Sequence, residues 1–325
     1  MVQLVTTQAY SQRVIRAIQN SRTRVYVISL IIQQDNDPQA IITALASASE
    51  RGVDVHVIGD YSTHVYMNGH LNPYYGYRQQ VRNARELANR LRSHGVNFTW
   101  IGSKSPFLFA GRTHGKWIIA DNTVFSFGGI NLHASFTDDI DYQIEIQNAE
   151  LADKLSSEHL SIIDKNYLDA VRLSCSFTTQ YGQVLVDGGI PFDSMIYRHA
   201  IMLASTAQHI LMVTQYCPTG KLAKLVSQTD HDVYFNDPTT SDLFTNLLIK
   251  AGKSLTGIHN SYTKQPYIHA KFMIVTHADG TKTAITGSHN FISYGGILGT
   301  REIALQTTNP DIIDQLELYY KKYIA

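Results

Sequence analysis

The sequence predicts an α/β fold of two pseudo-symmetric lobes, each a mixed β-sheet flanked by helices, with one active site where the lobes meet. Three observations carry that expectation. The series of helix-like and strand-like segments in the first half recurs in the second. Each series ends in a His-x-Lys segment and a Gly-Gly/Ser-x-Asn loop: His114, Lys116, Gly128, Gly129 and Asn131, then His269, Lys271, Gly287, Ser288 and Asn290. A chain of 325 residues is long enough for a substantial core, either as two domains or as one large α/β unit. A repeat this large implies duplicated lobes in which strands alternate with helices.

Residues Tyr10 to Asn20 place Val14, Ala17 and Ile18 at helical spacing and lead into the β-rich run Arg24 to Leu30. Asp37-Pro38 opens a helix to Arg51, Gly52 closes it, and Val53 to Ile58 reads as the next strand. A polar-aromatic excursion over Tyr61 to Tyr77 follows, long enough to read as a lid or binding wall. A helix over Asn83 to His94 and a strand over Asn97 to Ile101 complete the series. The second half answers with a helix at Ser194 to Ser205, a strand at His209 to Val213, a helix at Gly220 to Gln228 and a strand at Asp232 to Phe235. A helix at Ser241 to Ala251 and a strand at Ser254 to Ile258 continue it. The expected lobes are residues 1–168 and 169–325. No low-complexity linker separates them between Ile163 and Ser176, which favours a tight interface.

The chain balances 27 basic against 27 acidic residues, unlike a protein that binds mainly by neutralising a nucleic-acid backbone, though a local basic groove would be compatible. Cys175 and Cys217 lack metal-site spacing and read as free thiols in a reducing compartment. Met1 to Ile18 lacks the apolar run of a signal peptide, and no segment approaches the roughly 20 apolar residues that span a bilayer. A soluble, cytoplasmic protein is expected, touching lipid only peripherally. No helical His-x-x-x-His or Cys/His cluster suggests a metal, and no cofactor is expected.

On a strand, residues i and i+2 share a face, so each His-x-Lys pair should aim an imidazole and an ammonium at one point. The half-motif His-x-Lys, four residues, Asp, six residues, Gly-Gly/Ser-x-Asn resembles that of the phospholipase D superfamily. The first copy fits throughout, with Asp121 in register. In the second, Thr276 replaces the Asp and Gly287 arrives four residues late; the interposed Asp279-Gly280 predicts a longer hairpin. The family's Asp lies outside the reacting groups, so its loss in copy two is expected to weaken a structural contact.

Metal-free phosphodiester cleavage needs a nucleophile, a proton donor for the leaving oxygen and fixed positive charge around the phosphoryl oxygens. Two histidines can share the first two tasks, while Lys116, Lys271, Asn131 and Asn290 cradle the oxygens. The resemblance implies a covalent phosphohistidine resolved by water or an alcohol, with the N-terminal histidine as nucleophile. Attack then falls to His114 and acid/base duty to His269, a choice that the symmetry of the residues leaves open. The family also keeps an acidic residue beyond each Asn to orient an imidazole, a place taken here by Asp141 and Glu302. Asp139 and Glu145 compete for the first role. His133 and His289, beside the motif asparagines, read as supporting or solvated residues, and His277 as surface.

Thr113 to Asp121 with Phe127 to Asn131 resembles the first motif of bacterial cardiolipin synthases, and Thr214-Gln215-Tyr216-Cys217-Pro218 is similar to a stretch of their second half. That resemblance implies a phospholipase D or phosphatidyltransferase acting on phospholipid with water or an alcohol as acceptor. Gly129, Ser288 and Tyr216 are then expected to contact substrate. The tyrosines of the aromatic excursion would sit at a lipid–water boundary or stack on nucleobases, and Pro106 to Ala110 would form an acyl-side wall or buried core ahead of the first motif. The alternatives are a nuclease or phosphodiesterase of the same superfamily acting on nucleic acid, and a silent phosphate-binding scaffold. Retention of both histidines, both lysines and both asparagines argues against the scaffold.

Overall fold

A computed structural model describes residues 1–33, 36–61, 75–102, 111–133, 136–163, 171–236, 258, 260, 262, 266–293 and 299–325. The first half supplies β1 (Val2–Thr6), α1 (Thr7–Asn20), β2 (Arg24–Ser29), α2 (Asn36–Glu50), β3 (Asp54–Asp60), α3 (Tyr75–Ser93) and β4 (Asn97–Ile101). It continues with β5 (Arg112–Thr113), β6 (Trp117–Ala120), β7 (Thr123–Ser126), β8 (Tyr142–Gln147) and α4 (Ala149–Ile163). Seven of these strands form one sheet in the order β1-β8-β7-β6-β2-β3-β4, with β2, β3 and β4 parallel and the rest antiparallel. The second half supplies β9 (Cys175–Thr179), β10 (Gly182–Gly188), α5 (Met195–Ala204), β11 (His209–Val213), α6 (Gly220–Gln228) and β12 (Asp230–Tyr234). It ends with β13 (Phe272–Thr276), β14 (Lys282–Gly287), β15 (Thr300–Thr307) and the C-terminal helix α7 (Pro310–Tyr323). Its sheet runs β12-β11-β13-β14-β15-β10-β9 and is also mixed. Both sheets are thus one design, with β10, β11, β12, β13, β14 and β15 answering β1, β2, β3, β6, β7 and β8.

Side-chain alternation along the strands sorts the core into layers. In β2, Val25 and Val27 pack with α1, α2 and α3 on one face, while Tyr26 and Ile28 point the other way. That inner face joins Trp117, Tyr142 and Ile144 of the first sheet to Val184, Val186, Phe272 and Ile303 of the second, with α4 and α7. A third layer packs α5 and α6 outside the second sheet. The lobes share one apolar interior, as the absence of a linker suggested.

The expected helices and strands appear with small shifts, except that α3 begins at Tyr75 rather than Asn83, since no proline interrupts the run from Tyr75 to Asn83. β1, β5, β9, β10, α4 and α7 had not been read from the sequence. The segments 241–251 and 254–257, the loop 62–74, Pro106 to Ala110 and the boundary near 168 lie outside the described residues. The hairpin after Thr276 is the longer one expected: His277 N donates to Thr281 O and Gly280, at φ +81°, turns the chain. In the first half a two-residue turn suffices, and Asp121 caps it by accepting from the N–H groups of Arg22, Thr23 and Arg24. Asp121 therefore ties β2 to the β6–β7 turn, and Thr276, paired with Lys282 and His209, has no such duty. Both cysteines are free, Cys217 buried and Cys175 half-buried.

Candidate active site

Each histidine is held by the carboxylate of the opposite half. His114 Nδ1 lies 2.9 Å from Glu302 Oε2, and His269 Nδ1 lies 2.7 Å from Asp141 Oδ2. The backbone repeats the crossing. The carbonyl of Arg301, just before Glu302, accepts from His114 N at 2.7 Å and Gly115 N at 2.9 Å. The carbonyl of Ile140, just before Asp141, accepts from His269 N at 3.0 Å and Ala270 N at 2.9 Å. β5 pairs with β15 in the second sheet, and Ile140 bridges Ile268. The two half-motifs are therefore interlocked by a local two-fold relation.

This crossing corrects one expectation. His114 to Lys116 and His269 to Lys271 precede β6 and β13 rather than lying on them, because their leading N–H groups go to the other half instead of a neighbouring strand. Each lysine turns back on its own histidine: Lys116 Nζ donates to His114 O at 2.6 Å, and Lys271 Nζ donates to His269 O. Both ammonium groups are buried. The side-chain oxygens of Asn131 and Asn290 are buried with no hydrogen-bond partner, leaving polar capacity that the fold itself does not use.

Gly129 and Ser288 occupy equivalent places and serve the carboxylates by different means. Gly129 N donates to Asp141 Oδ1 at 3.1 Å, beside Tyr142 N at 2.8 Å. Ser288 Oγ donates to Glu302 Oε2 at 2.5 Å. Tyr216 is half-buried against the second lobe's outer core. Asp139 lies 3.5 Å from His133, and Glu145 pairs with Arg13, so both competitors of Asp141 face other partners. His277 is half-buried and within 3.0 Å of Thr283 Oγ1.

Burial lowers the pKa of His114 from 6.5 to about 3, against the attraction of Glu302. Burial and then Lys271 lower His269, with Asp141 opposing. For the carboxyls burial works upward, but His114 and its hydrogen bond, with His289 and Lys116, bring Glu302 down to about 2. His269 and Lys271 likewise lower Asp141 against its burial. Burial brings Lys116 to about 7 and Lys271 to about 8. Lys271 acts on His114 and Lys116 on His269, so the two half-sites share one electrostatic environment. Burial thus disfavours the charged form of both imidazoles, while the paired histidines and lysines favour the ionised form of both carboxylates.

Sequence reasoning missed the supports one step out. Asp60 Oδ2 accepts from Thr113 N at 2.9 Å, and its counterpart Asn236 accepts from Ile268 N at 2.8 Å. Each fixes the residue before a histidine. Arg301 is 1% exposed and donates to Glu158 Oε1 of α4 at 2.9 Å, while Arg172 takes the other oxygen. His289 is buried, with Nδ1 accepting from Phe291 N at 2.9 Å. Among the described residues no group of three or more His, Cys, Asp or Glu could hold a metal ion, and no helix is long and apolar enough to cross a membrane.

Residues 14–163 match the family model described as cardiolipin synthase, PLD-like domain. No curated protein matches the sequence. Among solved structures, phosphatidylserine synthase from Haemophilus influenzae aligns over 100% of this chain and 87% of its own, at TM-score 0.73 and 13% identity. Polyphosphate kinase from Porphyromonas gingivalis aligns over 98% of this chain and 50% of its own, at TM-score 0.62 and 11% identity. At these identities the structural likeness is one of fold.

Proposed function

Residues 14–163 form a phospholipase D-like domain and the chain has the two-lobed fold of that superfamily, and on that premise we propose that it cleaves or transfers phosphodiesters of phospholipids through a phosphohistidine, without a metal. The observation that carries the chemistry is the crossed pairing of His114 with Glu302 and His269 with Asp141. A carboxylate on Nδ1 fixes the tautomer and leaves Nε2 as the reacting nitrogen.

In the first step His114 Nε2 attacks phosphorus, the bond to the departing alcohol breaks, and His269 gives its proton to that oxygen. The anionic diester promotes the protonated form of His269, which burial otherwise disfavours. In the second step water or an alcohol gives its proton to His269 and attacks phosphorus, releasing His114. Lys116, Lys271 and the amides of Asn131 and Asn290 balance charge on the phosphoryl oxygens. Tyr216, Gly129 and Ser288 complete the proposed binding wall, the latter two through the carboxylates they seat.

Phospholipid is favoured as substrate by the family model, together with a charge balance that offers no general basic excess to a polynucleotide. The deciding experiment presents the purified protein with phospholipid mixed micelles containing ethanol, alongside single- and double-stranded DNA. Formation of phosphatidylethanol is expected. Cleavage of DNA with no phosphatidylethanol would overturn the substrate assignment in favour of a nuclease.

A further inference from the structure

Among the described residues three phenylalanines adopt the left-handed backbone conformation, and one of them gains nothing from the core. Phe127 and Phe291 flank the motif loops at φ +63° and +54°, with rings fully buried, so packing offsets their strain. Phe192 has φ +67° and is 79% exposed. It stands third in a turn closed by Asp193 N to Ile190 O at 3.1 Å, after Pro191. Pro suits the second place of such a turn, and glycine is the usual occupant of a third place with positive φ. A bulky side chain there costs backbone energy that an exposed ring does not recover by folding.

The turn adjoins the backbone that leads into both half-motifs. A β-carbon on Gly299 would sit 2.5 Å from Gly189 O and 2.8 Å from Pro191, and Gly299 O accepts from Gly111 N at 2.9 Å. From Gly299 the chain runs three residues to Glu302, and from Gly111 three residues to His114. That is roughly 10 Å in extended chain. Alongside runs the segment of Leu173, itself 73% exposed, tied down by Ser174 N to Asp193 Oδ2 at 2.7 Å and by the Arg172–Gly189 bridge. Two exposed apolar side chains thus stand on adjoining segments next to that backbone.

We propose that Phe192 and Leu173 insert into a lipid surface and hold the mouth of the active site against it. This rests on the phospholipid assignment above: a diester whose acyl chains lie in a bilayer reaches the histidines only if the rim meets that bilayer. An aromatic ring and a branched aliphatic chain, carried on a rigid turn, suit the acyl boundary.

Binding is measured by sedimentation with sucrose-loaded vesicles of phosphatidylcholine and phosphatidylglycerol, using the whole protein, Phe192→Gly and Leu173→Ser. About tenfold weaker binding is expected for each variant, with thermal stability of Phe192→Gly unchanged or raised because glycine relieves the turn. Phe192→Trp should shift its emission to the blue on vesicles, relative to the native protein. Turnover of a monomeric short-chain phosphatidylcholine should not change in Phe192→Gly. Vesicle binding of Phe192→Gly equal to the native protein would overturn the inference, as would self-association that Phe192→Gly abolishes while vesicle binding persists. Binding is read without turnover, so failure to process any phospholipid defeats the assigned reaction and leaves the binding result to be judged alone.

Discussion

Gly129 leaves no room for a side chain beside Asp141: a β-carbon would lie 2.6 Å from Asp141 Oδ2, and 2.5 Å from the carbonyl of His269. Its counterpart Ser288 has a side chain that donates to Glu302 instead of clashing with it. The halves are therefore not interchangeable at this position. Gly129→Ser, which copies the second half into the first, should destabilise the fold by about 1–3 kcal/mol, as overpacking does. It should also cut kcat far more than Ser288→Gly, because it displaces a carboxylate rather than deleting one of its donors. Comparable kcat in the two variants would contradict the geometry.

Glu302→Gln and Asp141→Asn should each slow turnover by about 10²–10⁴-fold with modest changes in KM, since an amide on Nδ1 favours the wrong tautomer. Because the pairs cross, the Glu302 change should perturb the ring of His114, and the Asp141 change that of His269. Imidazole nitrogen chemical shifts in the two variants check this. A same-half pattern of perturbation would refute the interlock.

The half-motifs were legible because each is local, a run of fewer than 30 residues in which the same residue types recur in the same order. Asp141 and Glu302 were legible as positions, but their exchange was not. His114 and Glu302 are 188 residues apart, His269 and Asp141 128, and nothing near either histidine marks which acid it meets. Arg301 gave no sign of burial for the same reason, its partner Glu158 lying 143 residues away. Residues Val2–Thr6 were not read as a strand, because the partner that satisfies their backbone, β8, lies more than 130 residues along the chain. The placement of His-x-Lys ahead of its strand also depends on a carbonyl from the other half.

The buried Arg301–Glu158–Arg172 group predicts a stability effect coupled to the site. Glu158→Gln removes the buried carboxylate charge that Arg301 and Arg172 both engage, and should cost about 3–5 kcal/mol in denaturant unfolding. Replacing Glu158, Arg301 and Arg172 together with apolar residues of similar volume should cost less. Since the Arg301 carbonyl seats His114, the single variant should also lower kcat under conditions where it remains folded.

The lysines predict opposite pH trends for activity and stability. Lys116 and Lys271, brought by burial to about 7 and 8 from an ordinary 10.5, lose their charge as pH rises through those values. If that charge supports the phosphoryl oxygens, kcat/KM should fall above about pH 7–8. Stability moves the other way: between the lowered folded values and 10.5 the unfolded chain binds more protons, so these groups make folding more favourable as pH rises. Below the folded values both states are protonated and the cost of burying the charges is present in full. Lys271→Arg, which cannot deprotonate, should make the alkaline limb shallower, leaving only the titration of Lys116. A limb that tracks loss of the fold by circular dichroism would assign it to unfolding instead.

Division of labour between the histidines predicts where a covalent adduct collects. A substrate with a good leaving group needs no proton from His269 to form the phosphohistidine, but resolution still needs a base to accept a proton from water. In His269→Ala, supplied with a p-nitrophenyl phosphodiester, a burst of nitrophenol should precede arrest. A phosphoryl-type mass increment, stable to base and labile to acid, should then map to His114. His114→Ala should give neither burst nor adduct. Excess chelator should leave the native burst unaltered, because Lys116, Lys271 and the two asparagines supply the charge stabilisation. An adduct on His269 in the His114→Ala protein would reverse the roles while keeping the crossed pairs. A burst abolished by chelator would remove the metal-free mechanism itself.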